Sequence, residues 1–261
     1  MIASWRPRPY GAWIGVLLIA VALAALEWAG SIGAVNTALV PPPSQVGARI
    51  AGIIASGEFV RPLGTTLYLL FVAYALASLS GVVVGVLTGR SRLLYKLLEP
   101  LLEMLRPMPK VALLPPLMLF LGIGDTMKIV IVWLAAFFPV LINTVQGVRG
   151  VDPVLINTGR TFGLRGWRLI RRVVLPAAAP LILTGMRVAL GLALIVVVIA
   201  EMLAGTGGLG FLVIDMQRTF RVQDMYAWVV ILAVLGYGLN ALFVAIEQRV
   251  IGWAHAPAEA R

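Results

Sequence analysis

The chain has 261 residues, 61% of them hydrophobic and 12% charged, with a mean hydropathy of +0.98 and a formal net charge of +10. That is too little charge to cover a water-soluble fold, for which ~25% is usual, whereas a bilayer surrounds its spans with apolar solvent. The absence of cysteine and the single histidine, His255, exclude disulfides, thiol chemistry, a Ser-His-Asp triad and a His-based metal cluster.

A membrane span needs about 20 mostly apolar residues. The first predicted span covers residues 11–29, after Arg6 and Arg8. A secretory signal cleaved near Ala22-Leu23-Ala24 competes with it, but the apolar run is long for a signal and favours a retained helix. An extracytoplasmic loop is predicted at 30–62, followed by a charge-free span at 64–88. The third span, at 101–121, reads as a kinked or broken helix. Pro107, Pro109, Pro115 and Pro116 interrupt it and free carbonyls that hydrocarbon cannot satisfy. Spans at 127–148, 178–203 and 225–247 follow, with a cytoplasmic loop at 149–177. The whole of 1–261 reads as one all-α membrane domain of six transmembrane helices.

Charge sets the orientation. Arg187 lies within a span, and Arg49, Arg61, Lys128, Arg218 and Arg221 fall on one set of loops. The remaining Lys and Arg fall on the other set, which places both termini in the cytoplasm. Topology and membrane lipid therefore explain the basic balance. Nucleic acid is not a predicted partner, because no basic stripe with interleaved aromatics is present. Trp5, Trp13, Trp28 and Trp253 suit interfacial anchoring.

Charged and polar residues inside spans are costly and therefore informative. Glu201 reads either as a gate or pathway residue or as a structural carboxylate beside Gly205-Thr206-Gly207-Gly208. Arg187 is expected to snorkel to the cytoplasmic face; binding an anion or pairing with another helix are the alternatives. Asn143, Gln146 and Asn240 could line a solute path or hydrogen-bond between helices. Glu99 and Glu103 are better explained by helical pairs with Lys96 and Arg106 than by acid/base chemistry.

The most informative segment is the loop at 149–177. Asp152 is a good N-cap, Pro153 suits the first helical position and Gly163 is a natural terminator. A short helix is predicted at 153–162, and a second from near Gly166 that ends before Pro176. Val154, Leu155 and Phe162 offer apolar contacts, while Arg160, Arg165, Arg168, Arg171 and Arg172 hold the projection at the cytoplasmic face.

This loop resembles the "EAA" coupling loop of permease subunits of ATP-binding-cassette (ABC) importers. That pattern is Glu-Ala-Ala, three residues, Gly, about nine residues, an apolar residue, any residue, then Leu-Pro. Asn157-Thr158-Gly159 stands at the Glu-Ala-Ala positions, Gly163 is the glycine, and Val173, Leu175 and Pro176 complete the pattern. Asn157 replaces the acidic residue, so any salt bridge made by the family's Glu is in question. Supporting stretches are Val40-Pro41-Pro42-Pro43-Ser44, Leu114-Pro115-Pro116-Leu117 leading to Gly122-Ile123-Gly124, Phe138-Pro139, and Ala200-Glu201-Met202-Leu203 leading to Gly207-Gly208-Leu209-Gly210. The likeness is greatest to permeases for nitrate, aliphatic sulfonates, taurine and similar small solutes.

The resemblance implies a type I ABC importer permease fold in the bacterial cytoplasmic (inner) membrane. It implies a second permease copy, identical or closely homologous, an ATP-binding subunit dimer, and a periplasmic or lipid-anchored solute-binding protein. Asn157, Thr158, Gly159, Arg160, Phe162, Gly163, Leu164 and Arg165 become the candidate coupling residues, and Asn143, Gln146, Glu201 and Asn240 the candidate translocation path. No cofactor is expected on this chain. No Walker A loop is present, so ATP and Mg²⁺ would belong to the partner, and the chain itself would not be an enzyme. Two other classes compete with this reading. A stand-alone secondary transporter or channel would want several mid-membrane carboxylates, and a membrane enzyme would want clustered catalytic groups.

Overall fold

The computed structural model describes residues 9–252, so the expectations attached to Trp5, Arg6, Arg8, Trp253 and His255 lie outside it. Every regular element among the described residues is helical: α1 (Pro9–Ser31), α2 (Pro43–Ser56), α3 (Val60–Arg90), α4 (Arg92–Leu105), α5 (Leu114–Leu121), α6 (Asp125–Arg149), α7 (Pro153–Thr161), α8 (Gly166–Leu169), α9 (Leu175–Ala204), α10 (Leu209–Arg218) and α11 (Val222–Val250). A helix satisfies its own backbone groups, which is what an apolar surrounding demands. Five segments are long and apolar enough to cross a bilayer: Trp13–Ser31, Val60–Arg90, Asp125–Arg149, Gly166–Ala204 and Val222–Val250. A sixth exists if Arg92–Leu105 and Lys110–Leu121 count together.

The third predicted span, read as a kinked or broken helix at 101–121, consists of two helical stretches, Arg92–Leu105 and Lys110–Leu121, bent by 89°. Pro107 and Pro109 each lack an N–H donor and cannot continue the helix. The carbonyls freed at the end of α4 are not left bare. The Lys110 ammonium donates to the carbonyls of Leu105 and Arg106, each at 2.8 Å, and lies 5.1 Å from the centre of the Phe138 ring. On α4, Glu103 pairs with Arg106 at 3.4 Å as the spacing suggests. Glu99 instead accepts from the Tyr95 hydroxyl at 2.7 Å, so the expected Lys96–Glu99 pair is not formed.

A second correction concerns Pro176. The helix beginning at Gly166 does not stop before it. The helical path runs on from Gly166 to Ala204, so the loop's second helix and the fifth span are one rod. Residues Ile170–Val174 form a π turn, in which the Leu175 N–H donates to the Ile170 carbonyl. An ordinary α-helix would clash the proline ring against the carbonyl four residues earlier. Widening the turn just before Pro176 places the proline in the first turn of α9, where a missing N–H costs little.

The chain groups into two compact units. One contains residues up to 60 together with 212–231. There Glu27 on α1 accepts from the Ser44 backbone N–H and hydroxyl at the start of α2, at 3.0 and 2.6 Å. Arg49 on α2 pairs with Asp224 and with Glu58, and Arg221 also pairs with Asp224 at 2.8 Å. The hydrogen bond to Asp224 raises the Arg49 guanidinium above its ordinary pKa.

The other unit contains 61–211 and the chain beyond 232. Its α3 and α6 meet along a seam of small residues. A Cβ on Gly81, Gly85 or Gly89 would lie 2.9, 2.6 or 2.8 Å from the Cβ of Val140, Thr144 or Val148 respectively. Both series repeat every four residues, so one face of each helix forms the contact along its length. Close approach also joins α6 to α9. A Cβ on Gly185 would fall 2.6 Å from Asn143 Cβ and 2.9 Å from the Pro139 carbonyl oxygen. Leu69, Ala73 and Ala77 of α3, Ile131, Ala136 and Val140 of α6, and Ala189, Ala193 and Val197 of α9 form the buried core.

Candidate functional site

The projection between α6 and α9 is built from its caps inward. The Asp152 carboxylate accepts from the Val154 N–H at 2.8 Å and caps the N-terminus of α7, with Pro153 following. At the other end Gly163 takes φ +80°, a left-handed conformation that glycine adopts freely. Its N–H donates to Arg160 at 2.9 Å, and the Leu164 N–H donates to Gly159 at 3.0 Å. This pair of bonds closes the helix in a Schellman motif.

Gly159 explains how the short helix is held. It is buried, and a Cβ there would lie 2.9 Å from Leu169 Cδ1 and 3.1 Å from Val173 Cγ2. The α7 backbone therefore lies directly on the rod that becomes α9. Beneath it, Ile156 of α7 packs on a cluster formed by Val86 of α3, Val148 of α6, and Val174, Ala178 and Ile182 on the α9 rod. Three spans thus share one apolar cluster with the projection, so displacing α7 must disturb all three.

Three large apolar side chains stand exposed on the projection. Phe162 is 81% exposed, Val154 66% and Leu155 50%. A groove of about 410 Å³ runs beside it, lined by Leu155, Thr158, Gly159, Phe162, Leu164, Arg172 and Val173 among others. The structure thus brings together Thr158, Gly159, Phe162 and Leu164 of the candidate coupling residues. Arg160 faces a different cavity, and Arg165 and Gly163 are exposed on the connecting turn. Asn157 is exposed, and its backbone carbonyl accepts from the Thr161 hydroxyl at 3.1 Å.

The polar residues considered for a translocation path are not gathered in one cavity. Asn143 is half-buried at the α6–α9 contact and donates to the Pro139 carbonyl at 2.8 Å, while Gln146 and Asn240 are exposed. Glu201 is fully buried. Its carboxylate accepts from the Thr66 hydroxyl at 2.9 and 3.0 Å and from the Gly210 N–H at 2.9 Å. Gly208, at φ +98°, lies so close over the carboxylate that no Cβ would fit. Arg187, expected to snorkel, instead pairs with Glu247 of α11, a residue sequence reasoning did not single out. The sequence carried no signal for that partner, because helix-to-helix pairing across 60 residues leaves no local pattern. The spacing of Gly81, Gly85 and Gly89 was readable, since small residues four apart are a packing signature.

Described residues that are helical throughout their regular elements, with five or six candidate membrane spans and a capped short helix packed on three of them, define a multi-pass helical membrane protein. The chain belongs to the family described as binding-protein-dependent transport system inner membrane component, whose model matches residues 81–252. It is 33% identical over 249 residues to a Bacillus subtilis (strain 168) protein named as the aliphatic sulfonates transport permease SsuC, covering 95% of this chain and 90% of that one. It is 30% identical to the taurine transport permease TauC of Escherichia coli (strain K12), over 96% of this chain and 93% of that one. The nitrate import permease NrtB of Leptolyngbya laminosa is 32% identical, over 69% of this chain and 64% of that one. Inward-facing MetNI methionine ABC transporter shares the fold with a TM-score of 0.63 at 23% identity, over 71% of this chain and 92% of that one. The chain is therefore a multi-pass inner-membrane permease of the ABC importer class, within the nitrate, sulfonate and taurine group.

Proposed function

We propose that this permease carries a small oxyanion-bearing solute, a sulfonate, taurine, nitrate or similar, inward by alternating access driven by a separate ATP-hydrolysing subunit dimer. The observation that carries the coupling role is α7, whose exposed Val154, Leu155 and Phe162 face outward while Gly159 presses its backbone onto the α9 rod. Exposed apolar side chains of this size on a helix fixed at both caps suit insertion into a groove of a partner. A push on such a helix reaches α3, α6 and α9 through the shared apolar cluster. The solute class is supported by the named functions of SsuC, TauC and NrtB. A periplasmic or lipid-anchored binding protein delivers the solute, and a second copy of the chain completes the path. Nucleotide acts through the partner by favouring one of two permease states, which requires different affinity for the two.

The test is reconstitution in proteoliposomes with the cognate ATPase and binding protein, measuring ATP-dependent uptake of labelled taurine, an alkanesulfonate and nitrate. Phe162→Asp should lower uptake and binding of the ATPase by more than about tenfold, since it places a charge in the docking groove, while membrane insertion stays normal. Undiminished uptake by Phe162→Asp, or ATP hydrolysis by the purified permease alone, would sink this reading.

A further inference from the structure

A cavity of about 430 Å³ lies where the ends of α3 and α6 meet α7 and α8. Four arginines line it: Arg90 and Arg92 from the α3–α4 junction, Arg149 from the end of α6, and Arg160 from α7. None of the four has a carboxylate partner among the described residues. Arg149 is held in place by stacking at 3.7 Å on the Tyr95 ring, a contact that leaves its charge unneutralised. Like charges gathered at the edge of an apolar medium repel strongly, and an anion in their midst removes that cost. Guanidinium groups match phosphate oxygens in pairs.

A second cavity, of about 600 Å³, distinguishes a lipid from a free anion. It shares Val86, Arg90 and Ile170 with the first and continues along the flank of α3 past Val83 and Leu87, with Leu94 and Trp167 at its rim. Val83 and Leu87 belong to a membrane-spanning helix and are exposed, so their natural neighbour is hydrocarbon. Trp167 is exposed, with the amphipathic ring that favours the headgroup level. A chamber edged by four arginines, large enough for a phospholipid headgroup and opening into an apolar trough, has the shape and chemistry of one phospholipid.

We propose that Arg90, Arg92, Arg149 and Arg160 form a binding site for an anionic phospholipid, its phosphate among the guanidinium groups and one acyl chain along Val83 and Leu87. Basic pockets between spans, on the side where Lys and Arg collect, are suited to such headgroups. Arg160 sits on α7 and the other three on the ends of membrane spans, so the headgroup ties the projecting helix to the bundle. The effect on ATP-coupled transport rests on the coupling role proposed for α7; the lipid site does not.

The test uses the full chain in nanodiscs of phosphatidylcholine containing either brominated phosphatidylglycerol or brominated phosphatidylcholine. The quenching due to Trp167 is isolated by comparison with Trp167→Phe. Brominated phosphatidylglycerol should quench Trp167 with about tenfold greater apparent association than brominated phosphatidylcholine. Arg90→Gln/Arg92→Gln should remove that preference, and Val83→Phe/Leu87→Phe, which fills the trough, should weaken it. Arg160→Gln, on the exposed projection, provides a variant with little risk to folding and should also reduce it. Equal quenching by the two lipids overturns the proposal. So does loss of the preference in inorganic phosphate but not in chloride of equal ionic strength, with no effect of filling the trough, since that identifies a free-anion site. Loss of the preference when the ATPase subunit is added also overturns it, because the arginines would then serve carboxylates of that protein. An intact preference with reduced ATP-driven uptake in phosphatidylcholine alone supports the lipid site and the coupling role together.

Discussion

Thr66, near the start of α3, donates its hydroxyl to both carboxylate oxygens of Glu201, near the end of α9, and accepts from the Leu209 N–H at 2.9 Å. One small hydroxyl thus serves a buried acid and a buried helix start at once. With the Gly210 N–H on the same carboxylate, it fastens α3, α9 and the glycine turn after α9 into one clasp. The stretch from Glu201 to Gly207-Gly208-Leu209-Gly210 therefore has a physical logic, because the acid needs two donors and the turn needs room directly over it.

Removing the Thr66 hydroxyl should cost stability disproportionate to its size. Thr66→Val keeps the volume but removes one of two donors to a buried carboxylate and leaves the buried Leu209 N–H without its acceptor, an expected loss of about 3 kcal/mol. Thr66→Ser keeps the hydroxyl and should lose less than about 1 kcal/mol. Thermal unfolding of the purified permease in one detergent checks the pair, and equal destabilisation by both would refute the clasp.

The α3–α6 seam predicts a non-additive pair. Gly85→Ala puts a Cβ 2.6 Å from Thr144 Cβ, and overpacking of this kind costs about 1–3 kcal/mol. Thr144→Gly removes the obstacle, so the double variant should regain a substantial part of the loss. A double-mutant cycle on unfolding midpoints measures the coupling; simple additivity would show that the two residues do not meet.

The ion pair between Arg187 and Glu247 should respond asymmetrically. Glu247 is buried, whereas the Arg187 side chain is 42% exposed. Arg187→Ala leaves an uncompensated buried carboxylate and should cost about 2 kcal/mol. Glu247→Gln leaves an arginine that can turn to water and should cost under about 1 kcal/mol. Unfolding midpoints in the same lipid nanodisc decide between this order and its reverse.

Two glycines of the projection separate transport from insertion. Gly163 needs φ +80°, which proline cannot adopt, so Gly163→Pro unmakes the end of α7. Gly159→Val forces α7 away from Leu169 and Val173. Both variants should reach the membrane at normal levels and lose ATP-driven uptake by at least about tenfold, the change expected when a docked helix loses more than about 1.4 kcal/mol of partner binding. Normal uptake by either would remove α7 from the coupling path.

Composition and local pattern were enough for the membrane class, the caps of α7 and the matching positions Gly163, Val173, Leu175 and Pro176. These depend on solvent and on neighbours within a few residues, and both are written directly in the chain. The sequence also located the break at Pro107 and Pro109, though not its 89° bend or the use of Lys110 to satisfy the exposed carbonyls. Pro176 was misleading when read alone: proline ends an α-helix, but a π turn before it lets the rod continue.

The tertiary structure alone decided the partners. Thr66 with Glu201, Arg187 with Glu247, and Gly85 with Thr144 are pairs brought together only when spans pack, and no sequence period encodes which residues will face one another across helices. The same holds for the four arginines around one cavity, which come from the α3–α4 junction, the end of α6 and α7. The sequence determined that the chain is a helical membrane permease with a capped short helix between two of its spans, because burial in lipid and local capping constrain each helix separately. Which charges are satisfied, which glycines are compressed and which arginines share one cavity were fixed by close packing between helices.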